Sequence, residues 1–366
     1  MSRRSGFRMP DRVLVTGGAG FVGSTICLEL RRRFPGAEII AFDNLRRRGS
    51  ELNLPRLKAA GVRFVHGDVR QPSDLATVPA DLIIECSAEP SAQAGYNDDP
   101  GYVVETNLFG CYNCLNLARR TKADFIFVST SRVYSTAALN SLAFRENDER
   151  FDWLDEQPVH GVSGLGVCEE FSTCGARSIY GTTKLAAELM VEEFAHAYNF
   201  RYLINRCGLI AGPWQMGKVD QGVVSLWVAA HYFGRPLRYI GFGGQGKQVR
   251  DILHVDDVAD LVATQAGAMS SYDRLTLNVG GGLSFSLSLR EMTAECEQLT
   301  GKRIEIGSEC ADRPADLRIY VTDNRRIGGL CGWKPTRNPR LVLQDLFCWI
   351  RNNEQLVASS LFARAS

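Results

Sequence analysis

No run of about 18 consecutive apolar residues occurs anywhere in the chain, so nothing in it reads as a membrane-spanning helix. Net charge is lacking as well. Forty-two Lys and Arg against 41 Asp and Glu leave +1, too little to draw the protein onto nucleic acid or an acidic membrane. There is no internal repeat and no low-complexity tract. The opening MSRRSGFRMP is basic, but no apolar segment follows it as a secretory signal requires, and the expected location is cytoplasmic. Cysteine is not scarce, at 11, yet it is scattered, and in a chain without an export signal most should be reduced and many buried. Cys111 and Cys114 share one helix face in GCYNCLNLARR, with no second pair to complete a zinc site, so no metal is expected. With 45% hydrophobic and 23% charged residues, the remainder is ordinary globular composition, and small-molecule chemistry is the default.

Short apolar runs alternate with amphipathic stretches through the first half: RVLVT (12–16), AEIIAF (37–42), VRFVHG (62–67), DLIIEC (81–86), DFIFVST (124–130) and FRYLINR (200–206). Runs rich in Val and Ile, separated by helix-length segments, predict a parallel sheet covered on both faces, a doubly wound α/β fold of Rossmann type. Residues 10–206 read as the first domain, with 249–283 returning to it. Residues 207–366, shorter in their elements and richer in Gly and Pro, read mainly as a smaller α/β substrate domain. The segment 135–178 breaks the rhythm and reads as a long functional or mobile loop.

After the first strand comes TGGAGFVG, with Gly18-x-Gly20-x-x-Gly23 preceded by Gly17 and opening into a helix. Glycines there let backbone N–H groups approach a pyrophosphate at a helix N-terminus. The second strand ends in Asp43, twenty residues beyond Gly23, where a carboxylate accepts from an adenosine ribose and repels a 2′-phosphate. NAD is therefore expected rather than NADP, with Arg46, Arg47 and Arg48 as the feature that keeps NADP open. Asp68, after the third strand, suits the adenine end or caps the next helix.

Tyr180 and Lys184 lie four apart in SIYGTTK, on one face of a helix. Alone, that spacing is compatible with packing. Use of a tyrosine as a base near neutrality needs its pKa lowered from about 10 by roughly three units, for which a neighbouring ammonium and a cationic nicotinamide are sources. Thr130, ending the fifth run, adds a hydroxyl at the same carboxyl edge.

In combination, the glycine loop, Asp43, Thr130 and Tyr180-x-x-x-Lys184 resemble the extended short-chain dehydrogenase/reductase family, in particular its nucleotide-sugar epimerases and dehydratases, over nearly the whole chain. The resemblance implies an NAD-dependent enzyme with Thr130, Tyr180 and Lys184 as catalytic residues. It implies cofactor contacts at Gly17, Gly20, Phe21, Val22, Gly23, Asp43, Asn44, Asp68, Val69, Ser87 and Asn107, together with Tyr180 and Lys184. It implies substrate contacts at Thr130, Ser131, Gln221, Arg250, Arg313 and Asp316, the arginines taking phosphate and Asp316 the nucleotide's ribose. Helices near 101–120 and 180–198 resemble a pair that forms a dimer bundle, so a homodimer is expected.

Within the family, FDNLRRRGSELNL, DQGVVSLWV, GKQVRDILHVDD and NVGGGLSFSLSL resemble the members that epimerise CDP-linked paratose and tyvelose at C2. The expected reaction is that C2 epimerisation through a transient keto-sugar. A UDP-sugar 4-epimerase and a catalytically silent nucleotide-binding scaffold are the alternatives. A 4,6-dehydratase is disfavoured because Ser131 and Arg132 follow Thr130 where dehydratases carry an acid. Three further departures stand out: Ser135 for the usual Gly, Ser178 for the usual Pro, and ECSAEPS (85–91) after the fourth strand.

Overall fold

The computed structural model describes residues 10–96, 98–216 and 222–361. Gln221 and most of the basic opening segment lie outside them. Seven parallel strands form the main sheet. The first five, β1 (Arg12–Thr16), β2 (Glu38–Asp43), β3 (Arg63–His66), β4 (Leu82–Glu85) and β5 (Asp124–Thr130), fall on the apolar runs of the sequence. With the strands Tyr202–Cys207 and Leu275–Val279 they run in the order Leu275–Val279, Tyr202–Cys207, β5, β4, β1, β2, β3.

These strands are apolar throughout because both faces are covered. Helix α1 (Phe21–Arg33) and the helix Val255–Ala266 bury one face; the helices Gly110–Thr121 and Ile179–Tyr198 bury the other. Cys111 and Cys114 belong to that second core, packed with Leu115, Phe125 and Phe127. The strand order reverses between β1 and β4, which opens a crevice at the carboxyl edge.

The registers decide what stands at that edge. Thr16 pairs with Glu85, Glu85 with Phe127, and Thr130 with Cys207. Thr16 and Glu85 thus end level with Phe127, while β5 and Tyr202–Cys207 run three residues further, to Thr130 and Cys207.

A smaller sheet contains the strands Leu209–Ala211, Val249–His254, Ser286–Ser288 and Ile319–Tyr320. It corrects one expectation: the chain's return to the large sheet begins with the helix Val255–Ala266, not at 249. Segment 135–178 also differs from the expected long loop. It holds the helix Thr136–Asn140 and two antiparallel ribbons, Phe144–Glu146 with Phe151–Trp153 and Val162–Ser163 with Gly166–Val167. Leu139, Phe151, Trp153 and Phe171 anchor it on Tyr134, Leu317 and Ile319. Apolar residues spaced too irregularly to show a period make that core.

Two of the sequence departures are explained locally. Ser178 Oγ accepts from the Gly181 N–H at 3.0 Å and caps the helix Ile179–Tyr198. Ser135 caps the helix Thr136–Asn140 in the same way. Each hydroxyl supplies an acceptor that Pro or Gly would lack.

Candidate active site

The glycine loop is built by close approach. A Cβ on Gly23 would lie 2.2 Å from the Gly17 carbonyl oxygen, and Gly17, at φ +63, would place one 2.9 Å from the Cys86 carbonyl carbon. Gly20 caps α1 without a side-chain acceptor and no acid occupies the first turn, so the first N–H groups are left for an anion. Asp43 accepts from Leu45 N–H at 2.8 Å and Ala19 N–H at 3.1 Å; burial nonetheless pushes its carboxyl above the usual range. Beyond it, Asn44 donates to Asp68 at 3.0 Å. Burial alone would raise Asp68, but hydrogen bonds from Arg70 and Asn44 hold it at about 2. Arg46 lies 4.0 Å over the Tyr102 ring and Arg47 donates to Met216 O. The cradle therefore fits NAD, with Asp43 ready to accept from a ribose.

A cavity of about 1110 Å³ extends from this loop into the smaller sheet. Phe21, Val22, Thr130, Ser131, Tyr180 and Lys184 line it, together with Arg250, Arg313 and Asp316. The cap at Ser178 starts the helix that carries Tyr180 and Lys184 one turn apart, and both line the cavity. Tyr180 is 8% exposed. Burial pushes its phenol above the ordinary value; Lys184, the Thr130 hydroxyl and Arg132 oppose that, and Cys207 adds to it. The protein alone does not deliver the lowering that base chemistry requires.

Behind Lys184 stands Glu85, a residue that sequence reasoning passed over. Its Oε2 lies 3.7 Å from Lys184 Nζ, and Lys184 also sits 3.9 Å over the Phe127 ring. Both side chains are buried, and neither Glu85 oxygen has a hydrogen-bond partner among the described residues. Burial raises the Glu85 carboxyl, with Lys184 pulling it back. The available signal was an acid closing a buried strand, in LIIE.

Within the same cavity, Asp316 is surrounded by arginines. Arg250 Nη2 donates to Asp316 Oδ1 at 3.1 Å and Arg313 Nη2 to Oδ2 at 3.2 Å. Burial would raise Asp316, yet Arg250, Arg132 and Arg313 hold it below the usual carboxylate range. Burial lowers Arg250 to about 10. Three guanidinium groups around one carboxylate leave net positive charge, which suits a diphosphate.

Other expected residues serve as braces. Asn107, in a π-helical turn Glu105–Phe109, accepts from Glu89 N–H and donates to Glu89 O and Thr183 Oγ1, and Thr183 donates to Tyr180 O. With its amide bound to protein it positions the Tyr180 helix and does not face the cavity. Val69 packs under Gly110. Ser87 is buried beside Glu85 and helps Lys184 to pull that carboxyl back down. Asp251 accepts from Gly282 and Thr322 N–H, and His254 caps the helix Val255–Ala266.

The model of the NAD dependent epimerase/dehydratase family matches residues 13–280. CDP-paratose 2-epimerase of Salmonella typhi is 27% identical over 346 residues, covering 92% of this chain and 98% of that protein. dTDP-glucose 4,6-dehydratase of Streptomyces antibioticus is 28% identical over 352 residues, covering 93% of this chain and 92% of its own. Among solved structures, UDP-glucose 4-epimerase of Thermus thermophilus, in complex with NAD, superposes with a TM-score of 0.75 at 26% identity, over 93% of this chain and 99% of that one.

Proposed function

The chain belongs to the NAD dependent epimerase/dehydratase family, an NAD-dependent enzyme of nucleotide-sugar chemistry, and from that premise we propose that it inverts C2 of a CDP-linked hexose. The observation that carries the reading is the convergence of Thr130, Tyr180 and Lys184 with the arginine cluster of Arg250 and Arg313 in one cavity beside the glycine loop. The Salmonella relative, matched over almost the full length of both chains, supports CDP and C2.

Bound NAD supplies the hydride acceptor and a positive nicotinamide. Tyr180, as phenolate, takes the hydroxyl proton as that carbon loses hydride. Thr130 hydrogen-bonds the reacting oxygen. Lys184, one turn from Tyr180, would favour the phenolate and hold the nicotinamide ribose. Arg250 and Arg313 keep the diphosphate in place while the keto-sugar presents its other face and regains hydride and proton. Net oxidation is zero, so no second redox substrate would be needed to regenerate NAD.

Elimination of water is disfavoured. Among the described residues, the only carboxylates lining the cavity are Asp316, bound by arginines, and Glu305, so no carboxylate beside Thr130 is available to remove a C5 proton. A homodimer is part of the proposal: Phe109, Tyr112, Leu189 and Tyr198 are exposed on the helical segments 105–121 and 179–198. Light scattering at micromolar concentration should give twice the monomer mass, and a monomer would refute it. No helix among the described residues is long and apolar enough to cross a membrane.

The test is proton NMR of the purified protein with CDP-paratose, CDP-glucose and UDP-glucose in separate tubes, without added NAD. Inversion of a CDP-sugar at C2 is expected. Conversion of UDP-glucose alone would move the assignment to a 4-epimerase, and no conversion in any tube would reject the proposed substrate.

A further inference from the structure

Arg132 follows Thr130 and Ser131 in a short helical turn that continues the β5 strand. Its backbone is fixed on two sides. The Arg132 N–H donates to Thr130 Oγ1 at 3.2 Å, and its carbonyl oxygen packs so closely on the Tyr180 helix that a Cβ on Gly181 would lie 2.1 Å away. The side chain is tethered too. Arg132 Nη1 donates at 2.9 Å to the carbonyl of Ala315, a residue held at φ +52 between Arg313 and Asp316. A left-handed conformation in a non-glycine residue costs energy, and here it turns a carbonyl toward this guanidinium.

The rest of the guanidinium is uncommitted. Among the described residues, Nε and Nη2 of Arg132 donate to no protein acceptor, and neither is sealed from the cavity that Arg132 lines. Its charged and ionisable neighbours are Asp316, Tyr180, Arg313 and Tyr320. Tyr180 in turn faces Lys184 from its own helix, Arg132 from the β5 end and Cys207 from the neighbouring strand, with Glu85 behind Lys184. One guanidinium is therefore within electrostatic range of both the Arg313–Asp316 cluster and Tyr180.

We propose that Arg132 contacts the substrate, its free edge bridging the phosphoryl group on the anomeric oxygen and the hydroxyl being oxidised, so that the pocket acts on the carbon next to the phosphate-bearing one. In a nucleotide-linked pyranose, the C2 hydroxyl neighbours the anomeric oxygen, whereas the C4 hydroxyl lies across the ring. A single planar fork can hold the first pair and not the second. The same charge joins Lys184 in favouring the Tyr180 phenolate. The inference rests on the C2 reading above and names the residue that selects C2.

The test compares wild type with Arg132→Gln and Arg132→Lys, all loaded with NAD and checked for folding by thermal melting. Two readouts need no turnover: the ultraviolet titration of the Tyr180 phenolate, taken as the difference from Tyr180→Phe, and calorimetric affinity for CDP. Arg132→Gln should raise the phenolate midpoint by about one pH unit or more and weaken CDP about tenfold, the loss of a charge-assisted hydrogen bond. Arg132→Lys should restore the midpoint, because the charge returns, while CDP affinity stays reduced, because the fork does not. Arg132→Gln leaving either quantity within about twofold of wild type, or within about 0.3 pH units, overturns the bridge and leaves Arg132 a brace for Ala315. The NMR of wild type separates the two claims: inversion at C4 rejects the C2 reading whatever the variants do, while inversion at C2 with unmoved variants rejects Arg132 alone.

Discussion

Glu85 and Lys184 face each other at 3.7 Å in the interior, with side chains 1% and 2% exposed and no hydrogen bond to either Glu85 oxygen among the described residues. The pair ties β4 to the helix that carries Tyr180. A buried pair of this kind is costly to halve. Lys184→Met should destabilise the fold by roughly 3 kcal/mol, and the double variant Glu85→Gln with Lys184→Met should recover most of that, as read by urea denaturation at pH 8. Equal losses in the single and double variants would mean that the two groups do not interact.

The same carboxyl predicts a pH signature. Burial raises Glu85 above its unfolded value, so its contribution is fully present below the unfolded pKa and is lost as pH rises through the folded one. Wild type should therefore lose stability relative to Glu85→Gln as the pH climbs out of the acid range. A difference that stays flat with pH would contradict a raised pKa.

Tyr180 should titrate above its ordinary value of 10 in protein stripped of NAD, because burial outweighs Lys184, Thr130 and Arg132. Adding NAD should lower the midpoint. Tyr180→Phe should reduce kcat by about 10²- to 10⁴-fold, the usual worth of a positioned acid–base group, with NAD content unchanged. A kcat within about fivefold of wild type would remove Tyr180 from the chemistry.

Gly23→Ala places a methyl 2.2 Å from the Gly17 carbonyl oxygen, inside any tolerable contact, and that neighbour is backbone. The loop must open or the helix shift. Purified Gly23→Ala should carry little NAD when extracted with acid and assayed spectrophotometrically, whereas a wild-type cofactor content would show that the loop does not hold the pyrophosphate.

Ser178→Ala removes the acceptor for Gly181 N–H at the start of the catalytic helix. The expected cost is about 1 kcal/mol. Because the cap also fixes the direction of Tyr180, kcat should fall severalfold while CDP affinity holds. Ser178→Asp, which keeps an acceptor, should return the stability, and a melting curve unchanged in Ser178→Ala would reject the cap.

The architecture was legible because strands buried on both faces cannot hide their composition. RVLVT and DFIFVST announce themselves one residue at a time, and so do the glycine loop and the Tyr180–Lys184 spacing, each fixed by the geometry of a single turn. Segment 135–178 was misread as a loop for the opposite reason: its ribbons are two or three residues long and its core residues, Phe151 and Phe171 among them, keep no period. Asn107 was legible as a residue of the site and a support for its geometry, but its partners Glu89 and Thr183 were not, since they come from other elements.

By itself, then, the sequence determined the doubly wound sheet, the dinucleotide loop and the pairing of a tyrosine with a lysine, all of them properties of neighbours along the chain. Only the tertiary structure decided that Glu85 backs Lys184 and that Arg132 joins Asp316 to Tyr180. Which strand ends share an edge follows from the order of strands in the sheet, and electrostatic partnership depends on distance through space in a medium that water no longer screens.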